Sequence, residues 1–243
     1  MIFMSSIQPR PSISVFFPAY NDAHSIGKLV GDALEVLPNL TDTYEVIVVN
    51  DGSADDTREV LRQLESKYEA LRIVEHETNK GYGGALQSGF RAARHELVFY
   101  TDGDGQYDVR ELVKLYSLLS EKTDVVNGYK LERTDKMNRK IIGGFYNRLA
   151  HFLFSLPIRD VDCDFRLIRR SFLGKINLYS TSGSICVELV YKLRKAGASF
   201  VETGVNHYAR QHGKSQFFTP RRVSKTLLDF FILWLRLIIL RKN

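Results

Sequence analysis

The sequence predicts an α/β fold in which a mostly parallel central sheet is flanked by helices and an apolar helix closes the chain. Three observations carry this expectation. Short β-rich apolar runs alternate with amphipathic, helix-like stretches through about the first 130 residues, the pattern of a parallel sheet covered by helices. Polar and glycine residues gather just after those runs, where open sheets of this kind take their ligands. Near the C-terminus, Leu227 to Leu240 is almost entirely apolar.

Taken in order, the pattern places strands at Ile13 to Phe17, Glu45 to Asn50, Leu71 to Glu75, Glu96 to Thr101 and Asp124 to Gly128. Helices fall between them near Ile26 to Leu37, Asp55 to Lys67, Gly83 to Arg94 and Val109 to Glu121, with Ser53 as N-cap of the second. After Lys130 the alternation gives way to a basic helical segment, Lys136 to Phe154, and an acidic turn, Asp160 to Arg166. A helix at Ile185 to Lys195 and a strand pair around Ser199 to Tyr208 follow. The division expected is a catalytic body over 1–222 and a C-terminal helix over 223–243.

The length, 243 residues, suits one large α/β domain, and the composition shows neither disorder nor fibrous repeats. A net charge of +6, from 34 Lys plus Arg against 28 Asp plus Glu, suits anionic partners. Its modest size, with no basic tract interleaved with aromatics, argues against nucleic acid. Cys163 and Cys186 have no metal-ligand spacing, so a reducing compartment is expected. Met1 to Arg10 lacks the pattern of a secretory leader, which points to the cytoplasm. Leu227 to Leu240 would make a helix about 21 Å long, short of the roughly 30 Å hydrocarbon core. Peripheral membrane association is therefore expected, with the helix lying in the interface; docking onto a membrane partner, its own body or another copy remains open.

Four strand ends aim polar residues at one cleft. Asp102-Gly103-Asp104 follows the apolar run Leu97 to Tyr100 and sets two carboxylates around a small residue. Hard oxygens of this kind suit Mg²⁺ or Mn²⁺, with Gln106 adding a neutral oxygen. An acidic turn would use the same residue types. Asp51, in Asn50-Asp51-Gly52-Ser53, is the residue expected to recognise a nucleoside, with Tyr20 a surface for its base. Gly81, Gly83 and Gly84 permit close approach of backbone to a phosphate. His207 to Ser215 carries Arg210 in a cationic segment suited to a diphosphate. Lys130, Arg133 and Arg139, beside apolar residues at helical spacing, suggest a lipid phosphate. Among the carboxylates of Asp160 to Arg166, Asp162 and Asp164 are the catalytic candidates, joined by Asp104 and Arg210; Glu188 is a further candidate base.

Pro-Ala-Tyr-Asn at 18 to 21, Val-Asn-Asp-Gly-Ser at 49 to 53, Asn-Lys-Gly-Tyr-Gly-Gly-Ala at 79 to 85, Thr-Asp-Gly-Asp-Gly-Gln at 101 to 106 and His-x-x-Arg-x-x-Gly-x-Ser at 207 to 215 together resemble the family 2 glycosyltransferases. More narrowly, the chain is similar to the dolichol-phosphate mannose and polyprenyl-phosphate glucose branch. The resemblance implies a GT-A fold, Rossmann-like and nucleotide-binding. It also implies inverting, metal-dependent transfer of one sugar from a GDP- or UDP-sugar to a polyprenyl or dolichyl phosphate. By that resemblance Pro18, Tyr20, Asn21, Asp22, Asp51, Lys80, Gly81, Asp102, Gly103, Asp104, Gln106 and Arg210 bind the nucleotide sugar. Asp102, Asp104 and Gln106 hold the metal, and Lys130, Arg133, Arg139 and Ser215 meet the acceptor phosphate. Asp22 stands where the pattern has Glu, and Lys130 where Arg is frequent, which forfeits bidentate phosphate geometry. Transfer to a hydroxyl, a nucleotidyltransferase and an inactive nucleotide-sugar sensor are the alternatives the residues leave open.

Overall fold

The computed structural model of the chain describes residues 10–131, 137–210 and 220–241. A seven-stranded sheet forms the centre, from β1 (Ile13–Ala19), β2 (Tyr44–Asn50), β3 (Leu71–Glu75), β4 (Leu97–Thr101), β5 (Val125–Lys130), β6 (Phe165–Arg169) and β7 (Phe200–Val205). The order is β3-β2-β1-β4-β6-β5-β7. β1 to β4 run parallel, β6 is antiparallel to both β4 and β5, and β7 is parallel to β5. Around it lie α1 (Ile26–Leu40), α2 (Thr57–Lys67), α3 (Tyr82–Ala92), α4 (Leu112–Ser117), α5 (Met137–Phe154), α6 (Arg170–Leu173), α7 (Ile185–Lys195) and α8 (Pro220–Trp234).

All seven residues of β1 are buried, as expected for a strand covered on both faces. Alternation divides them between two cores. Ile13, Val15 and Phe17 pack with Leu29, Ala33 and Leu37 of α1. Phe16 faces the other layer, with Leu86 of α3, Val187 of α7 and Phe230 of α8. Each fully buried side chain of this size contributes about 1.5–3 kcal/mol of transfer free energy. The chain leaves β1 toward β2 on one side and places β4 on the other. That reversal opens a crevice past the carboxyl ends of β1 and β4.

Several elements differ from the sequence expectation. The segment read as an acidic turn already contains the start of β6, because Phe165 and Arg166 pair with Thr101 and Tyr100 of β4. The expected strand pair is one strand, β7; beyond it His207 bridges to Tyr107 instead of turning back. The helix expected over Val109 to Glu121 is a 3₁₀ turn, Val109–Glu111, followed by the short α4. Ser53 does not cap α2: its hydroxyl accepts from the Asn21 amide, and Asp55 Oδ1 takes the Thr57 amide at 3.1 Å. α8 begins at Pro220, ahead of the apolar stretch, and continues as a π-helical turn over Leu235–Ile239. Among the described residues no helix is long and apolar enough to cross a membrane.

Candidate active site

The ends of β1 and β4 touch at Gly103. Its amide donates to Pro18 O at 3.2 Å, and a Cβ there would lie 2.5 Å from the same oxygen. Only glycine lets the two carboxylates of Asp102-Gly103-Asp104 emerge so close to the β1 loop. Within that loop Asn21 adopts φ 58°. Its side-chain oxygen accepts from the Ala54 amide at 2.8 Å and the Asp55 amide at 3.3 Å. Asn21 therefore ties the β1 loop to the β2 loop. Asp22 accepts from the Tyr20 amide at 3.0 Å and has Oδ2 3.4 Å from the position of a Gly103 Cβ. Pro18, Tyr20, Asn21, Asp22, Gly103 and Asp104 thus line one crevice mouth.

The carboxylates there repel one another. Burial raises the Asp102 carboxyl well above its usual range, and the charges of Asp164 and Asp104 add to the rise. Asp22 is pushed up to about 6, by burial first and then by Asp104, against the lowering hydrogen bond from Tyr20. Asp104 accepts the Gln106 amide at 3.0 Å and forms an ion pair with the Arg210 guanidinium. Arg210 Nε is buried without a hydrogen-bond partner, a donor suited to an anion entering the crevice. Gln106 donates its side-chain amide to Tyr208 O at 2.9 Å and accepts the Tyr208 amide on its own carbonyl at 2.8 Å. In the structure it therefore fastens the 207–210 segment to the carboxylate loop, where the sequence suggested a metal ligand.

Among the described residues no cluster of three or more His, Cys, Asp or Glu side chains is set to hold a metal ion alone. The donor set nevertheless fits a hard divalent cation. Asp102 and Asp104 supply carboxylate oxygens whose burial and mutual repulsion a cation relieves, leaving coordination positions for phosphate oxygens.

Asp51, expected to recognise a nucleoside, is engaged by the chain's own groups. It is buried, and Oδ1 accepts from the Lys80 amide at 2.8 Å while Oδ2 accepts from the Gly81 amide at 3.0 Å. His76 Nδ1 lies 2.6 Å from Oδ1, and its Nε2 lies 2.9 Å from Ser88 Oγ. Asp51 thus staples the glycine loop. The Gly83 amide of that loop is likewise taken within the chain. Gly83 N donates to Thr181 O at 3.0 Å, and a Cβ at Gly83 would lie 2.2 Å from Ser180 O. What approaches the glycines is the chain's own 180–181 segment. Tyr82, in the same loop, donates its hydroxyl to Asp102 Oδ1 at 2.7 Å; burial raises that hydroxyl well above its ordinary value, so it stays protonated.

Past β5 and β6 the acidic segment resolves into unequal parts. Asp164 is buried, with Oδ1 3.2 Å from both Arg166 Nη1 and the Tyr100 hydroxyl, and accepts from the Cys186 thiol at 3.3 Å. Arg166 is completely buried and also bonds Asn127 Oδ1 and Val161 O. Asp164, a catalytic candidate from the sequence, is thus ion-paired with Arg166 inside the fold. Lys130 Nζ donates to Asp162 O at 2.9 Å, which joins the end of β5 to this segment. Glu188, the other candidate base, accepts from the Tyr179 and Ser180 amides and pairs with Lys192 at 2.9 Å, holding the 179–182 loop. Arg133 and Ser215 lie outside the described residues, and Arg139 falls on α5 where side chains lie outside them.

His76, Tyr82, Tyr100 and Arg166 are the site-shaping residues that sequence reasoning missed. Their motifs name no partner, because each bonds a residue distant in sequence.

Three comparisons bear on this geometry. The model of glycosyl transferase family 2 matches residues 14–176. A dodecaprenyl-phosphate galacturonate synthase from Rhizobium johnstonii is 29% identical over 220 residues, covering 89% of this chain and 64% of that protein. This chain therefore spans less than two thirds of that relative's length. Among solved structures, a glucosyl-3-phosphoglycerate synthase from Mycobacterium tuberculosis, in complex with Mn²⁺, UDP and glucosyl-3-phosphoglycerate, superposes with TM-score 0.69 at 17% identity, over 93% of this chain and 79% of that one. A mannosyltransferase from Pyrobaculum calidifontis, in complex with GDP-Man and Mn²⁺, gives TM-score 0.68 at 22% identity, over 95% of this chain and 67% of that one.

Proposed function

The chain belongs to glycosyl transferase family 2, and from that premise we propose that it moves a single hexose, from a GDP-mannose- or UDP-glucose-type donor, to a polyprenyl or dolichyl phosphate. The observation that carries the reading is the cluster at the switch point: Asp102 and Asp104 just past the end of β4, with Arg210 ion-paired to Asp104 and its Nε unpartnered. Two carboxylates and a guanidinium at one point suit a metal-bound diphosphate. The similarity to a dodecaprenyl-phosphate galacturonate synthase supports the lipid-phosphate acceptor.

In this reading an oxygen of the acceptor phosphate attacks the anomeric carbon, the bond from that carbon to the diphosphate breaks, and the nucleoside diphosphate leaves with the electron pair. A phosphate monoester has a second pKa near 6 and is mostly dianionic at neutral pH, so no protein base is required. The ion pair holding Asp164 agrees with this economy. Mg²⁺ or Mn²⁺, when bound, supplies charge neutralisation at the departing diphosphate. Arg210 stabilises the same developing charge, while Lys130, with Arg133, Arg139 and Ser215, meets the acceptor phosphate. Asp162 orients that side of the cleft, and Tyr20 offers its ring to the base.

The acceptor also bears on the surface. α8 and the π-helical turn after it bury Phe230, Leu233 and Leu237, yet Leu228 is 59% and Phe231 52% exposed; on α5, Phe152 is 83% exposed. Apolar residues exposed at this density mark an interaction surface. We assign it to the membrane interface at the cytoplasmic face, where basic residues such as Arg148 meet anionic headgroups.

The test is nucleoside diphosphate release from a panel of GDP- and UDP-sugars with Mn²⁺ or Mg²⁺. Release that depends on polyprenyl phosphate supports the reading. Release that depends instead on a small hydroxyl acceptor such as phosphoglyceric acid overturns it.

A further inference from the structure

A row of hydrogen bonds, buried from Ser88 to Asp51 and part-buried beyond, runs from the β2 end of the cleft to the β4 end. Ser88 Oγ lies 2.9 Å from His76 Nε2, and His76 Nδ1 lies 2.6 Å from Asp51 Oδ1. The His76 ring thus bridges the two, one nitrogen facing the Asp51 carboxylate and the other the Ser88 hydroxyl. This Ser–His–Asp order resembles a hydrolytic triad, but all three residues are buried, Ser88 within α3, so no substrate reaches the serine. The row acts as a brace. It fixes Asp51, and Asp51 holds the Lys80 and Gly81 amides at 2.8 and 3.0 Å.

The next residue is Tyr82. Its backbone is fixed on one side by Asp51 and on the other by Gly83 N bonding Thr181 O at 3.0 Å, and its hydroxyl reaches Asp102 Oδ1 at 2.7 Å. Gly81 adopts φ 82°, with no room for a Cβ against Thr181 O. Thus the loop has one path, and that path ends on a carboxylate of the Asp-Gly-Asp motif. Such a carboxylate, pressed by the charges of Asp164 and Asp104, is held in one rotamer only if something bonds it.

We propose that Tyr82 is a positioning residue for Asp102, and that His76, through Asp51 and the Lys80–Gly81 amides, fixes the loop that carries it. The proposal rests on the reading of Asp102 as a carboxylate that meets the metal-bound diphosphate of the donor. Groups that orient a metal-binding side chain typically change metal affinity about 10–100-fold when removed.

The experiment is titration of Mn²⁺ into the full chain with GDP, and separately with UDP, following free Mn²⁺ by electron paramagnetic resonance. Tyr82→Phe keeps the ring and removes only the hydroxyl. It is expected to weaken Mn²⁺ binding about ten-fold, leaving nucleotide affinity without metal unchanged and lowering the unfolding temperature only slightly. His76→Phe is expected to weaken Mn²⁺ binding in the same direction, and the double variant no more than Tyr82→Phe alone, since both act through one hydroxyl. Ser88→Ala takes the place of His76→Phe should the latter not fold. Mn²⁺ affinity unchanged in Tyr82→Phe overturns the proposal, and additive losses in the double variant overturn the part assigned to His76. A parent chain that binds Mn²⁺ with neither nucleotide overturns the donor-site reading itself, which separates the two failures.

Discussion

Asp22 makes the site's electrostatics measurable. Its carboxyl is raised from 3.8 to about 6, by burial first and then by Asp104. Between those values the folded chain keeps a proton that the unfolded chain has released. The stability it contributes is therefore full below about pH 4 and lost as pH rises through about 6. Asp22→Asn retains an oxygen for the Tyr20 amide. It should raise the unfolding temperature over the parent at pH 7.5, with the gain vanishing as pH is lowered toward 4; thermal unfolding across pH checks this. Arg166 gives a second prediction. Arg166→Met leaves Asp164 buried without its cation, and breaking such a pair costs about 3–5 kcal/mol, readable in denaturant unfolding. The structure brings together Asp102, Asp104 and Arg210, which the sequence singled out by residue type and motif. The sequence did not disclose that Asp51 and Asn21 serve the loops, since the partners of both, Lys80, Gly81, Ala54 and Asp55, contribute backbone amides that no residue pattern records.

Among elements, the parallel half was legible and the antiparallel insertion was not. β1, β2 and β4 are short, mostly apolar and β-branched or aromatic runs, and α1 and α7 stand where periodicity puts them. β6 escaped notice because Arg166 sits inside it, a fully buried charge that reads as a turn until Asp164, Asn127 and Tyr100 are seen around it. α8 carries apolar residues on two faces with different roles. Phe230 is 2% exposed and packs edge-on against Phe154. Phe230→Ala should therefore cost about 3–5 kcal/mol. Phe231 and Ile232 are each 52% exposed. Replacing both with Glu should leave the unfolding temperature nearly unchanged while abolishing flotation with anionic liposomes; flotation that persists removes the membrane assignment.

At the scale of the whole molecule, the sheet order places the switch point, and with it the crevice, between β1 and β4. Apolar patterning alone predicted a parallel α/β sheet but not this order, because pairing between distant strands leaves no local trace. Family membership and the fold of the solved structures agree with that architecture. The mass of the lipid product reads out transfer of one hexose to a lipid phosphate at the Asp-Gly-Asp carboxylates. Purified chain is incubated with a polyprenyl phosphate, a GDP- or UDP-hexose and Mn²⁺, beside Asp104→Ala as control. The parent is expected to form a lipid phosphate heavier by one hexose residue, and the control none. An unchanged lipid while the parent binds the donor, or a product formed equally by Asp104→Ala, contradicts transfer at those carboxylates.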